Sequence, residues 1–262
     1  MELGLRGRRA VVTGGSLGIG RAIARELAAE GVEVAIIARD ATRLEAAAAE
    51  ITRETNTRVV AIPADLTDPT ALEAAMTAAQ AALGHVDILV NNAGATPMGR
   101  IGEMDDATWM KSINLKLMGY MRCARILTPP MRERRWGRVI NIIGRSGHQP
   151  RATYITGSAV NASLLSFTHA LAAECAPDNV LVNGVNPGPI ATPRWETVVA
   201  QGAAGAGRSA EAENAAAIAG LALGRLGTPE ECSGLVAFLC SDRAGFIVGT
   251  NINIDGGGTR CI

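Results

Sequence analysis

The chain has 262 residues, 48% of them hydrophobic, and its 25 Lys plus Arg balance 25 Asp plus Glu. That length suits one large α/β domain and is short for two, and the apolar content excludes a disordered chain. Balanced charge leaves no electrostatic footprint for nucleic acid or an anionic membrane. The five cysteines, Cys123, Cys175, Cys232, Cys240 and Cys261, are scattered without C-x-x-C spacing. They read as small buried hydrophobes rather than a disulfide framework or a zinc site, and no metal is expected. No apolar run approaches the roughly 20 residues of a membrane span, and no signal-peptide pattern is present, so a soluble cytoplasmic protein is expected.

Short apolar runs alternate with longer Ala-rich helical patterns. The first predicted strand covers residues 10–13. The glycine-rich TGGSLGIG of residues 13–20 follows at once, and a helix opens there with Ile19, Ile23 and Leu27 recurring every four residues. Further strands are predicted at 34–38, at 59–63 and, after a helix start at Asp68 and Pro69, at 88–91. The basic run 132–138 (RERRWGR) reads as a solvated helix end before a strand at 138–143. Another strand is predicted at 181–186. Residues 194–224, containing QGAAGAGR, form the most irregular segment, either a disordered insert or a mobile lid over the substrate. Thr228, Pro229 and Glu231 mark a helix start as cap, first-turn proline and capping-box partner. The last strand is predicted at 251–254. Strands apolar on both faces, alternating with helices, imply right-handed crossovers and a single α/β domain. Its core is a doubly wound Rossmann-type parallel sheet of about seven strands.

In the loop after the first strand, glycines permit a tight turn and let backbone N–H groups approach a pyrophosphate at a helix N-terminus. Gly14, Ser16, Leu17, Gly18, Ile19 and Gly20 are therefore candidate dinucleotide ligands. Near the end of the second strand, NAD-preferring Rossmann proteins usually carry an acidic residue. Here Arg39 stands at that point, and a guanidinium can pair with a 2′-phosphate, which favours NADP(H) over NAD(H). Asp40 follows directly and can hold Arg39 aside or face the ribose.

Taken together, the motifs resemble the short-chain dehydrogenase/reductase family nearly end to end. TGGSLGIG is similar to its T-G-x-x-x-G-x-G. Asp65 in ADLTD, with Leu66 beside it, matches the adenine-contacting aspartate. Asn91–Gly94 (NNAG) brings Asn92, Ala93 and Gly94 to the cofactor, and Asn114 in INLKLMG matches the active-site asparagine. NPGPI with Thr192 matches the segment holding the nicotinamide carboxamide, through Pro187, Gly188, Ile190 and Thr192. The tail GRLGTPEECSGLVAFLCSDRAGFIVGTNINIDGG is also similar.

The resemblance implies catalysis by a tyrosine, a lysine four residues later, a serine and the asparagine. Tyr154 matches the tyrosine, and it also borders the cofactor site. Ser158 stands at the lysine position, and the serine position falls on Gly144. Only Asn114 and Tyr154 remain of the four. The chain has just two lysines, Lys111 and Lys116. Without a neighbouring cation a tyrosine ionises near pH 10, so only about one in a thousand is tyrosinate at neutral pH. Alcohol oxidation should suffer more than carbonyl reduction. Ser146 can supply a replacement hydroxyl, His148 in the same loop can donate or shuttle a proton, and Arg145 and Arg151 can supply charge. Ser158 either caps the helix or faces the ribose. Lys116 lies two residues past Asn114, which points it to a different helix face.

The expected function is an NADP(H)-dependent oxidoreductase acting on a carbonyl or alcohol of a small, partly apolar substrate. Met98 and Trp195, near the site, suggest the apolar part. The competing readings are a non-redox enzyme on the same fold, such as a lyase, isomerase, cyclase or hydrolase, and a regulatory nucleotide-binding protein. The resemblance also implies a homo-tetramer or dimer, with the VGTNINID strand at a sheet edge.

Overall fold

The structure is a computed structural model and describes residues 2–260. Its strands are β1 (Arg9–Thr13), β2 (Glu33–Ala38), β3 (Val59–Pro63), β4 (Ile88–Asn91), β5 (Gly137–Ile142), β6 (Val180–Pro187) and β7 (Asn251–Ile254). They form one seven-stranded sheet in the order β3-β2-β1-β4-β5-β6-β7, with every pairing parallel. Each predicted strand is present, with ends moved by at most one residue. β1, β2, β4, β5 and β6 are almost wholly buried because helices cover both faces. β3 and β7 are the edges and stay half-exposed.

The helices are α1 (Gly18–Ala29), α2 (Ala41–Thr55), α3 (Pro69–Leu83), α4 (Asp106–Ser112), α5 (Gly119–Glu133), α6 (Ile155–Cys175), α7 (Pro193–Ala206), α8 (Ala210–Ala219) and α9 (Pro229–Cys240). One core joins α1, α2 and α9 to one face of the sheet through Ile23, Leu27, Leu44, Ile51 and Val236. The other packs α3, α5 and α6 on the opposite face through Leu72, Met76, Leu127, Met131 and Ala172. The predicted helix start at Thr228 has full capping geometry. Thr228 Oγ1 accepts from Glu231 N–H at 3.3 Å, and Glu231 Oε2 accepts from Thr228 N–H at 2.8 Å. At Asp68 the side chain accepts from Thr70 N–H at 2.8 Å, so α3 also begins where expected.

Three expectations need correction. Residues 194–224 are not irregular, since most of the segment lies in α7 and α8. Thr192 caps α7 ahead of Pro193, Gly207 ends it at φ 63°, and Ser209 caps α8. Alanine between such signals favours helix strongly enough to override the scattered glycines. The basic run is not simply solvated. Arg132 and Arg135 pair with Asp178, Arg134 pairs with Asp87, and Arg138 is buried against the Trp136 ring. Asp40 pairs with Arg43 and not with Arg39. It caps α2, accepting from Arg43 N–H at 3.0 Å.

Cys123, Cys175, Cys232 and Cys240 are buried free thiols, as expected, and Cys261 lies outside the described residues. Burial pushes Cys123, Cys232 and Cys240 up to about 12. Among the described residues no helix is long and apolar enough to cross a membrane.

Candidate active site

At the C-terminal ends of β1, β4, β5 and β6 the loops surround a cavity of about 390 Å³. It lies where the strand order reverses between β1 and β4, the position at which open α/β sheets hold ligands. One wall is the glycine-rich loop. Gly14 and Gly18 have φ of 69° and 54°, a region that side chains disfavour. A Cβ on Gly20 would lie 2.2 Å from the Gly14 carbonyl oxygen, so only glycine lets α1 start this close to the loop. Leu17 caps α1 without a side-chain hydrogen bond, which leaves first-turn N–H groups for an anion. Asn92 braces the loop from β4 by donating to the Thr13 and Gly14 carbonyls at 3.0 and 3.2 Å. Thr13 Oγ1 accepts from the N–H of Asn92 and Ala93. This cradle fits a dinucleotide pyrophosphate.

Of the candidate cofactor residues, Gly14, Leu17, Gly18, Ile19, Gly20, Asn92, Ala93, Gly94, Tyr154, Pro187, Gly188, Ile190 and Thr192 line the cavity. Ser16 and Leu66 do not. Leu66 is buried in the core beneath α3, because the side chain after Asp65 turns inward. Arg39 and Asp65 line a second cavity with Thr67, Lys111, Asn114 and Arg122. Asp65 Oδ1 accepts from Thr67 N–H and Oγ1–H at 2.9 and 2.8 Å, and these bonds hold its carboxyl below the ordinary range. Arg39, Lys111 and Arg122 make this second cavity cationic, suited to the adenosine end of a dinucleotide with a 2′-phosphate.

Asn114 therefore lines the second cavity and not the one that Tyr154 lines. Its amide donates to the Thr67 carbonyl at 2.6 Å and accepts from Arg122 at 2.7 Å, away from Tyr154. The cause is local. Residues Ile113–Met118 form a π-helical stretch between α4 and α5, and its wider turn changes which residue faces the sheet. Lys116 takes the inward place. Its Nζ donates to the Ile143 carbonyl at 2.5 Å and to Asn161 Oδ1 at 2.8 Å, on the cavity wall. Burial, with Arg194 adding repulsion, lowers this lysine to about 7. A Cβ on Gly94 would lie 2.9 Å from Lys116 Cδ, so that glycine makes room for the lysine stem.

Asn161 links the lysine to Ser146. Nζ has protons to give and Oδ1 must receive one, so Nδ2 faces the serine and donates to Ser146 Oγ at 2.8 Å. The Ser146 hydroxyl proton remains for an acceptor in the cavity. Gly144 explains why no serine stands there. Its φ is 120°, and a Cβ would come within 3.1 Å of Asn161 Nδ2. Tyr154 precedes α6, its hydroxyl hydrogen-bonds Thr96 Oγ1, and its ring lies where a side chain on Gly157 would collide.

Ser158 and His148 do not line the cavity. Ser158 Oγ donates to the Tyr154 carbonyl at 2.8 Å and accepts from Arg151 N–H at 3.1 Å, so it ties the loop to α6 instead of facing a ribose. A serine too short to leave the first helical turn bonds its own backbone. The sequence argument set Lys116 aside and never singled out Asn161. Lys116 carried one usable signal, the scarcity of lysine in the chain.

The short chain dehydrogenase family model matches residues 8–202. Nodulation protein G of Rhizobium sp. (strain N33) is 37% identical, over 97% of this chain and 97% of that protein. The 3-oxoacyl-(acyl-carrier-protein) reductase FabG of Aquifex aeolicus (strain VF5) is 34% identical, over 98% and 99%. L-sorbose reductase from Gluconobacter frateurii, in a crystal structure complexed with NADPH and L-sorbose, superposes with a TM-score of 0.94. It is 33% identical and covers 100% of both chains.

Proposed function

From a chain that belongs to the short-chain dehydrogenase family, with both cofactor cavities formed by its own residues, we propose an NADP(H)-dependent reductase of a small carbonyl compound. The observation that carries this reading is that Tyr154, Ser146 and Lys116 line the same cavity as the glycine-rich loop. A reduced nicotinamide held by the glycine-rich loop would supply the hydride. Ser146 donates a hydrogen bond to the substrate oxygen, and Tyr154 delivers the proton as that oxygen becomes an alcohol. Lys116, when protonated, places positive charge where the oxygen turns negative. Carbonyl reduction is the favoured direction, because it uses the protonated tyrosine.

The non-redox and regulatory readings draw their motive from a missing lysine and serine. Lys116 and Ser146 bring the same two kinds of group to the cavity from other positions. NADP(H) is preferred over NAD(H) on the strength of Arg39 and its cationic neighbours. Helices α7 and α8 serve as the substrate lid, held by Met98 N–H donating to Gln201 Oε1 at 3.3 Å. Self-association through the β7 edge is favoured by the fully exposed Phe246 and the exposed Val248 just before it.

The test is NADPH oxidation across a carbonyl panel by wild-type protein and Tyr154→Phe. The variant should lose about 10²–10⁴ in kcat while still binding NADPH. Full activity in Tyr154→Phe, or binding of NADPH with no turnover of any carbonyl, refutes the reading.

A further inference from the structure

The catalytic end of the main cavity is strongly one-sided in charge. Lys116, Arg145, Arg151 and Arg194 line it, and among the described residues no lining side chain is acidic. None of the three arginines is in an ion pair among the described residues. The cofactor's own phosphates do not account for them. A pyrophosphate belongs at the N-terminus of α1 and a 2′-phosphate at Arg39, whereas these arginines gather at Tyr154 and Ser146. Arg194 donates to the Thr96 carbonyl, and Thr96 is the residue whose hydroxyl meets Tyr154. Arg145 is next to Ser146 in the chain. Arg151 has its backbone fixed by Ser158, the residue at the position where the resemblance places a lysine.

Arg145 is the most telling of these. It is half-buried, and its guanidinium occupies the space that a side chain on Gly258 would fill. Asp255 is the acidic residue whose charge reaches it. Both oxygens of that carboxylate are engaged locally, by Gly257 N–H at 3.1 Å and by the Thr259 hydroxyl at 2.5 Å. Repulsion from Arg151 adds to the cost of holding Arg145 charged there, and Arg194 does the same to Lys116. Arg151 itself is exposed, but like charges lining one cavity around a half-buried guanidinium and a buried lysine are costly without an anion to compensate them. A guanidinium binds a planar oxyanion with two parallel hydrogen bonds.

We propose that the substrate is an anionic carbonyl compound, whose carboxylate or equivalent oxyanion is bound by Arg145 and Arg151 while its carbonyl meets Ser146 and Tyr154. The substrate class rests on the reductase reading, but its recognition is testable without turnover. Protein saturated with NADP⁺ is titrated calorimetrically with hexanoate, hexanamide and butyl phosphate, which contain no reducible ketone. Hexanoate should bind at least about tenfold more tightly than hexanamide, and Arg145→Gln or Arg151→Gln should remove that preference while leaving NADP⁺ affinity unchanged. The preferred of hexanoate and butyl phosphate identifies the kind of oxyanion. Equal binding of hexanoate and hexanamide overturns the proposal, as does a preference for hexanoate that both variants retain. A parallel assay of NADPH oxidation with 3-oxohexanoate and its methyl ester separates the two claims. Faster reduction of the ester overturns anion recognition and leaves the reductase reading standing. Selective binding of hexanoate upholds recognition whether or not either ketone turns over, and the reductase reading then stands or falls with the carbonyl panel.

Discussion

Replacing Lys116 by methionine should change how the stability of the protein depends on pH. A lysine ordinarily titrates near 10.5, and burial lowers this one to about 7. Between those two values the unfolded chain holds a proton that the folded chain has released. Stability therefore rises with pH across that window and is lowest below about pH 7. From pH 7 to pH 9 the unfolded lysine stays almost fully protonated while the folded one gives up its remaining half proton. Integrated, that contributes about 2 kcal/mol of added stability. Methionine has a similar unbranched stem and no charge. It also strips the Ile143 carbonyl and Asn161 Oδ1 of a donor, which shifts the variant's stability by a pH-independent amount. The informative quantity is the difference between the two proteins at each pH. Urea unfolding at pH 7, 8 and 9 should show wild-type stability gaining about 2 kcal/mol on Lys116→Met. Parallel pH curves for the two proteins would refute the argument that Lys116 is buried with a depressed titration.

Arg39→Ala should weaken NADPH binding by about 10–100-fold, the loss expected for a charge-assisted hydrogen bond, and change NADH binding little. Equal losses for both nucleotides, measured by fluorescence titration, would remove Arg39 as the phosphate reader. Gly144→Ser restores the side chain that the resemblance calls for, but at φ 120° and 3.1 Å from Asn161 Nδ2. It should cost about 1–3 kcal/mol of stability and raise no reductase activity. A stable variant with faster turnover would show that Ser146 does not serve as the hydroxyl donor.

The sheet was readable because its strands are apolar on both faces and each ends in a recognisable turn. The phosphate loop was readable because its glycines serve backbone geometry, which depends on local sequence alone. The catalytic wall was harder to read. Asn114 and Lys116 sit two residues apart, and the π-helical stretch decides which of them faces the sheet. No regular helical period represents that choice. Asn161 escaped notice because its role exists only in three dimensions, between a lysine 45 positions away and a serine 15 positions away. The α7–α8 pair was hidden by glycines that usually signal a loop, although Thr192 and Ser209 announce both helices.

The glycine-rich loop and its brace at Asn92–Gly94 come early in the chain, Lys111 and Arg122 join Arg39 and Asp65 around the second cavity, and Ser146, Tyr154 and the three arginines come after Gly144. Lys116, reaching across from between α4 and α5 to Asn161 on α6, is the stitch between them. Such a layout lets a protein engineer exchange the side chains around Tyr154 for a new substrate while the glycine-rich loop stays as it is. The arginines around Tyr154 can then be exchanged one at a time, since none of them belongs to the loop that braces the coenzyme.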